Sequence, residues 1–301
     1  CKKAAVQTTT FKRYWGLIKP GIVFGNMIPV LGGFLLAEPS WKDWPTLLWV
    51  MLATFCLVGS ACVFNNYYER DIDGLMTRTQ NRVLVHDGIP KVQVFGIALV
   101  LFVSALVILA HINWVTFALG IFGFVVYVLI YTLLLKRHSI HQTTLGSFSG
   151  ACPPVMGYCS IAGVFNIDAF LIFMLFAFWQ IPHSYAIAVF RQQDYANAQI
   201  PLLPLVKGVG HTKKAMIVYW ALYLATGVAL YAYGTVGWVF LAIFGYYGLR
   251  WGAIGWQGFD AEDNDKWARR FFFYSIKVMM MFSLGIVVDT LVKYLIPSIY
   301  F

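Results

Sequence analysis

Apolar stretches of roughly 20 residues, enough to cross a bilayer as a helix, recur from one end of the chain to the other. Inside lipid every backbone N–H and C=O must be paired within the chain, so only helices and closed barrels can span. The runs are continuously apolar rather than alternating, which selects helices. Nine spans are expected, at about 17–37, 46–67, 91–110, 113–135, 143–163, 169–190, 213–234, 236–256 and 271–296. Composition agrees: 60% of the 301 residues are hydrophobic and 12% are charged, too little polar surface for a soluble domain of this length. Pro20, Pro29, Pro153, Pro154 and Pro182 fall within spans or at their ends, where neighbouring helices can satisfy the freed carbonyls. The expected fold class is therefore an all-α polytopic membrane helical bundle, one domain over residues 1–301 that opens on a basic segment at 1–13. That segment lacks the apolar core and small-residue cleavage site of a signal peptide. The cysteines show no C-x-x-C pair and no zinc spacing, and those within apolar runs read as small hydrophobes.

The placement of Lys and Arg sets the orientation. Of the 22, 19 lie on the N-terminal segment or the even-numbered connections; Lys42 and Lys293 lie on the other side and Lys277 within the last run. The positive-inside rule puts the N-terminus in the cytoplasm and, with nine spans, the C-terminus outside. Most of the net charge of +9 is thus topological, and nucleic acid is not expected as a partner. Two cytoplasmic connections, about 68–90 and 191–212, are long, and long loops in a compact protein often carry function.

Polar chemistry gathers at those connections. The second span ends in NNYYERDID, where Asn65, Glu69 and Asp73 recur every fourth residue and share one face of a continuing helix. An amide and two carboxylates are hard oxygen donors suited to Mg²⁺. Arg78 and Arg82 follow, guanidinium forks able to grip phosphate. A solvated helix end with ordinary surface charge accounts for this cluster equally well by itself. The sixth span ends in WQIPHSY and then RQQDY, so that His183, Arg191 and Asp194 lie on one helical stripe. An ionisable group inside a span marks a functional site by default, although a hydrogen-bonded core histidine is as good a reading of His183. Tyr131, Lys136, Arg137, His138 and His141 close the fourth span, where simple positive-inside anchoring suffices. Together the patches place carboxylates beside excess cations on one membrane face, the combination that a metal–diphosphate site requires. No P-loop, H-E-x-x-H or G-x-G-x-x-G is present.

The stretch NNYYERDIDGLMTRTQNRVLV at 65–85 resembles the first aspartate-rich motif of the UbiA superfamily of intramembrane prenyltransferases. LIKPGIVFGNMIPVLGGFLLA at 17–37, YTLLLKRHSIHQTTLGSFSGACPPVMGY at 131–158, FWQIPHSYAIAVFRQQDY at 178–195 and IPLLPLVKG at 200–208 agree with its haem-farnesylating branch. The resemblance runs from about residue 11 to residue 295. Departures are Glu69 where the superfamily pattern has Asp, Gln199 where a Gly usually precedes I-P-x-L-P, Gln142 for an expected Asn, and Asp194 standing alone in the second acidic motif.

The resemblance implies transfer of farnesyl from farnesyl diphosphate to a haem B vinyl group. It implies Mg²⁺ held by Asn65, Glu69, Asp73 and Asp194, and diphosphate contacts from Lys19, Arg70, Arg78, Arg82, Lys136, Arg137 and Arg191. An acceptor seat would comprise His183, Trp179, Gln180, Tyr131 and His138, with His183 either ligating the iron or orienting the porphyrin. It further implies a multi-pass protein of the inner (plasma) membrane with its site facing the cytoplasm. Besides the surrounding bilayer, haem A synthase or a terminal-oxidase assembly step would be a partner. Two alternatives stay open from the residues: a prenyltransferase acting on another acceptor such as a quinone precursor, and a transporter with intramembrane charges along a midplane path.

Overall fold

The structure, a computed structural model, describes residues 10–86 and 88–296; most of the expected basic segment 1–13 therefore lies outside the described residues. All nine expected segments are helical. In chain order the helices are α1 (Thr10–Leu17), α2 (Pro20–Leu36), α3 (Trp44–Tyr68), α4 (Arg70–Asp73), α5 (Lys91–Ile112) and α6 (Trp114–Val125), which continues as a π-helical stretch, Val126–Leu135. Then come α7 (Gln142–Ala162), α8 (Ile167–Phe190), α9 (Gln192–Asn197), α10 (Leu203–Val206), α11 (Val209–Ala232), α12 (Trp238–Trp256) and α13 (Asn264–Leu295).

Among the described residues six helices are long and apolar enough to cross a membrane: α3, α5, α6 with its π-helical extension, α8, α11 and α13. A seventh is reached if α1 and α2, bent by 53° at their junction, count as one span. Nine is not reached on that test because α7 and α12 fall short. Helix α7 is rich in Thr, Ser, Gly and Pro, and Ala151–Ser160 are all buried, so its surface answers to protein rather than lipid. Helix α12 has 19 residues and carries Arg250 and two tyrosines. Helix α5 shows the opposite pattern: Val92, Leu99, Val100, Val103 and Val107 are exposed and face outward, as lipid-facing side chains do. The chain is a multi-pass membrane protein.

Helices α2, α7, α8 and α13 pack on one another at the centre, with α3 and α6 closing one side. Glycine lets α2 and α7 approach backbone to backbone. A Cβ on Gly33 would stand 1.8 Å from the Pro154 carbonyl oxygen, and one on Gly157 would stand 2.2 Å from that of Val30. In lipid, where apolar surface gains nothing by leaving the hydrocarbon, such close approach is a main source of helix association. Pro153 and Pro154 free carbonyls on α7 within this packed interior.

At the charged end of the bundle, the two long loops pack together. Ile72 and Met76 share a small apolar cluster with Ala188, Ala198, Ile200 and Leu202. Gln199, which stands where the superfamily usually has Gly, adopts φ +54°, the left-handed region in which a side chain is strained by roughly 1–2 kcal/mol. Gln142 is buried and its amide donates to the Pro201 carbonyl at 3.3 Å, fastening α7 to this loop.

Gly157→Ala should lower thermal stability in detergent by about 1–3 kcal/mol through forced separation of α2 and α7. Gly245→Ala on α12, where a Cβ meets nothing within 4 Å, serves as the control and should leave the melting temperature unchanged.

Candidate active site

The helical backbone continues past the end of α3: Glu69 N–H donates to the Asn65 carbonyl at 2.9 Å and Asp73 N–H to that of Glu69 at 2.7 Å. Asn65, Glu69 and Asp73 are thereby kept on one face, and all three are buried. Asn65 Nδ2 donates to Glu69 Oε1 at 2.5 Å and to Thr132 Oγ1 at 3.2 Å. Lys19 donates to Asn65 Oδ1, and Lys136 to Glu69 Oε1. The α1–α2 junction, α3 with its continuation and the π-helical end of α6 thus contribute to one buried knot of charge.

Each cation reaches the knot through unusual backbone. Lys19 sits at the bend between α1 and α2 with φ +51°, a left-handed conformation costly for a side chain and of the kind that collects at functional sites. Pro20 fixes the start of α2, and Asn66 Nδ2 holds the end of α1 by donating to the Leu17 carbonyl at 2.8 Å. Lys136 follows the π-helical stretch, whose last turn closes with Lys136 N–H on the Tyr131 carbonyl at 2.9 Å. Such widened turns are frequent at functional sites. This one also carries Tyr127, Tyr131 and Thr132, the last donating to the Tyr127 carbonyl at 2.9 Å.

The electrostatics follow. Burial alone would raise the Glu69 carboxyl, but Lys136 and Lys19 outweigh it and hold the group below the usual carboxylate range. Burial would lower Lys136, yet Glu69 and the Tyr131 hydroxyl carry it above the ordinary lysine value. Asp73 is 1% exposed; its Oδ2 takes a hydrogen bond from Arg82 Nη1 at 2.7 Å, and its Oδ1 has no partner among the described residues. Arg82 and Lys136 lie within electrostatic reach of Lys19, so the ion pair and the knot form one frame.

Behind the frame is a cavity of about 590 Å³ between α2, α3, α6, α7, α8 and α13. Its walls are mostly apolar or small, and Arg78 is the one Lys, Arg, Asp or Glu among the described residues that line it. Trp179, Gln180 and His183 of α8 line it too. Gln180 occupies the space that a Cβ on Gly150 would fill. The His183 ring is stacked on Trp179 and tilted against Phe272, both at 4.7 Å between centroids.

Of the residues singled out from sequence, Lys19, Asn65, Glu69, Asp73, Arg82, Lys136 and Tyr131 meet in the frame, while Arg78, Trp179, Gln180 and His183 border the cavity. Asp194 contacts the first loop rather than the other acids: its Oδ1 accepts from Thr77 N–H at 2.9 Å, and its Oδ2 lies 4.0 Å from Arg191. Three residues are directed elsewhere. Arg70 lies over the Tyr67 ring at 4.3 Å, and Arg137 forks onto exposed Asp71 at 2.7 and 2.8 Å, holding that carboxyl below its usual range. His138 is exposed. Sequence reasoning missed Thr132, Tyr127, Phe272 and Ser275. Thr132, Phe272 and Ser275 make their contacts across tens of residues, Tyr127 lines the chamber, and all four belong to apolar runs without a signal of their own.

Comparison with known proteins gives a consistent picture. The profile of the UbiA prenyltransferase family matches residues 26–276. A protoheme IX farnesyltransferase from Klebsiella pneumoniae subsp. pneumoniae is 41% identical over 283 residues, covering 94% of this chain and 96% of that one. In three dimensions the fold is similar to that in a structural study of digeranylgeranylglyceryl phosphate synthase (TM-score 0.77, 14% identity, 93% and 98% of the two chains). It is also similar to a UbiA homologue from Archaeoglobus fulgidus bound to GPP and Mg²⁺ (TM-score 0.65, 15% identity, 92% and 99%).

Arg82→Ala should cost about 3 kcal/mol of stability, because it strands the buried Asp73 carboxylate. Thermal unfolding in detergent checks this, and adding Asp73→Asn to the same chain should recover most of the loss.

Proposed function

Because the chain belongs to the UbiA prenyltransferase family, we propose that it transfers the farnesyl group of farnesyl diphosphate to a vinyl group of haem B, yielding haem O and pyrophosphate. The name of the 41%-identical relative supports this acceptor. The observation that carries the reading in the structure is an apolar chamber of about 590 Å³ whose wall residues Cys62 and Tyr127 lie within electrostatic reach of the buried frame of acids and cations.

The oxygen donors fit a divalent cation. Asp73 Oδ1 is buried without a partner among the described residues, and Asn65 and Glu69 lie on the same face. Among the described residues no three carboxyl, imidazole or thiol side chains converge closely enough to hold an ion by themselves. Asn65, Glu69, Asp73 and, from the second loop, Asp194 would hold Mg²⁺ together with waters and phosphate oxygens, as this ion prefers. When bound, it would offset diphosphate charge.

The chain's own cations do the rest. Lys19, Lys136 and Arg82, now matched to Asn65, Glu69 and Asp73 respectively, are placed to take up charge on the diphosphate, with Arg78 at the chamber wall. Arg191 would act from the second loop, and Arg70 and Arg137 would steer the anion from outside. As the C1–O bond breaks, its electron pair leaves with pyrophosphate, and preorganised cations stabilise that departure. The terminal vinyl carbon attacks farnesyl C1, leaving positive charge on the carbon next to the porphyrin. Water captures that carbon and a proton is lost, which gives the hydroxyethylfarnesyl group. The chamber walls keep water from the allylic cation before attack, and the faces of Tyr127 and Tyr131 offer it electrostatic support. Trp179, Gln180 and His183 would seat the porphyrin, with His138 at the outer rim.

The same reading places α7 and α12 across the membrane as well, for nine spans in one domain, with the N-terminus and the site in the cytoplasm and the C-terminus outside. The membrane would be the inner (plasma) membrane. The product would pass to haem A synthase or to terminal-oxidase assembly.

Asp73→Asn should cut haem O formation by more than about 100-fold while the protein still associates with haem. Pigment extracted from expressing cells decides the matter, and wild-type amounts of haem O from the variant would sink the proposed role.

A further inference from the structure

The proposed reaction makes two opposite demands on the chamber. Water must stay away from the allylic cation, yet one molecule must reach the carbon beside the porphyrin once the new C–C bond has formed. A loose pool would quench both cations, so the second step calls for a single water held in place. In mostly apolar surroundings a water is held by about two to four polar partners. Few uncharged polar side chains line this wall, and most are already engaged. Asn26 Nδ2 donates to the Ile22 carbonyl, Thr54 Oγ1 to that of Val50 and Ser149 Oγ to that of Gly146, each at 2.8 Å. His183 Nδ1 is paired with Ser275 Oγ at 2.6 Å, and the Trp179 indole N–H donates to the Ser275 carbonyl at 2.9 Å.

Gln180 and Ser184 stand apart. Both line the chamber from α8, and neither side chain makes a hydrogen bond among the described residues. The Tyr127 hydroxyl is likewise unpaired, but it lies towards the frame, within electrostatic reach of Glu69. Residues four apart share a helix face with Cβ atoms about 5–6 Å apart, a span that one water can bridge. The Gln180 amide is also fixed in place. A Cβ on Gly150 would stand 1.8 Å from its Oε1, 2.6 Å from Cδ and 2.7 Å from Nε2, so the whole amide rests against bare backbone of α7.

We infer that Gln180 and Ser184 hold the water that captures the porphyrin-side cation, and that Gly150 gives the amide its position. This rests on the transferase reading with haem as acceptor. The water donates one O–H to Gln180 Oε1 and the other to Ser184 Oγ, which leaves its lone pairs for the carbon. One pair forms the C–O bond and cancels the positive charge. The resulting oxonium gives up a proton to pyrophosphate, the base that the transfer itself releases, and the hydroxyl stays on the product. No change of oxidation state is involved. Without the held water the same cation has an internal outlet. The former terminal vinyl carbon loses a proton, and an alkene lighter by one water results.

The test is mass spectrometry of porphyrins, extracted at neutral pH from expressing cells that make no haem O of their own. The quantity read is the ratio of dehydrated to hydroxylated farnesyl product, which is set within each turnover whatever fraction of the protein folds. The wild-type chain should give mainly the hydroxylated form. Gln180→Leu should raise the ratio by about tenfold, the factor for one hydrogen bond lost from a transition state, and Ser184→Ala by roughly threefold. Gly150→Ala keeps the amide but denies it its place, and should shift the ratio in the same direction. Gln180→Glu keeps an oxygen acceptor at the same reach and should restore most of the hydroxylation. A wild-type ratio in Gln180→Leu or, if that chain does not fold, in Ser184→Ala overturns the inference. So does a Gln180→Glu ratio as high as that of Gln180→Leu. The two levels are kept apart: no farnesylated porphyrin of either kind from wild-type cells refutes the transferase reading, whereas hydroxylated product in equal proportion from wild-type and Gln180→Leu cells refutes only the water assignment.

Discussion

Two carboxylates, Glu69 and Asp73, are buried at the end of an apolar bundle, and charge in that position is tolerable only when it is matched. Much of the irregular backbone nearby serves the matching. The widened turns before Lys136 and the loop that returns Arg82 to Asp73 each bring a cation to an acid, and the left-handed turn at Lys19 brings a third to Asn65, which itself donates to Glu69. In the proposed reaction the frame would hold its cations in place before the diphosphate arrives. Reorganising charge at the moment of bond cleavage would then be unnecessary, which is the condition under which electrostatic catalysis is most effective.

The remainder of the molecule divides between enclosing the chamber and meeting the lipid. Helices α2 and α7 close ranks through Gly33 and Gly157, and α8 and α13 contribute the aromatic wall around His183. The outer helix α5 shows the bilayer a smooth face of valine and leucine. The loop-to-loop contact from Asp194 to Thr77 N–H, with the apolar cluster of Ile72, Met76, Ile200 and Leu202, joins the two long connections at the charged end.

Helix positions were legible because lipid demands long apolar runs, and all nine runs are helices. Their starts were less so: α13 begins at Asn264, seven residues before its apolar run, since its polar first turns are helical without being lipid-facing. The shared face of Asn65, Glu69 and Asp73 could be read from spacing alone, because the helix continues through Glu69. Partnerships across the bundle could not. Nothing local marks Thr132 as the neighbour of Asn65 or Ser275 as the anchor of His183, 67 and 92 residues apart respectively. Arg70 and Arg137 carried the right charge for a diphosphate but lie on the outside of the turn, against Tyr67 and Asp71. The π-helical stretch is also silent in the sequence, for VYVLIYTLLL is as good an α-helix as any lipid-facing decamer.

That stretch also governs how this span can change length over evolutionary time. In an ordinary α-helix, losing one residue rotates everything beyond it by roughly 100°, which would swing Lys136 away from Glu69. Where the turns are already overfilled, a single deletion can be absorbed by tightening to regular geometry, with the flanking segments kept in phase. The span between Val126 and Leu135 is thus where drift in length would do least harm to the frame, and a loss within α3 or α8 has no such buffer.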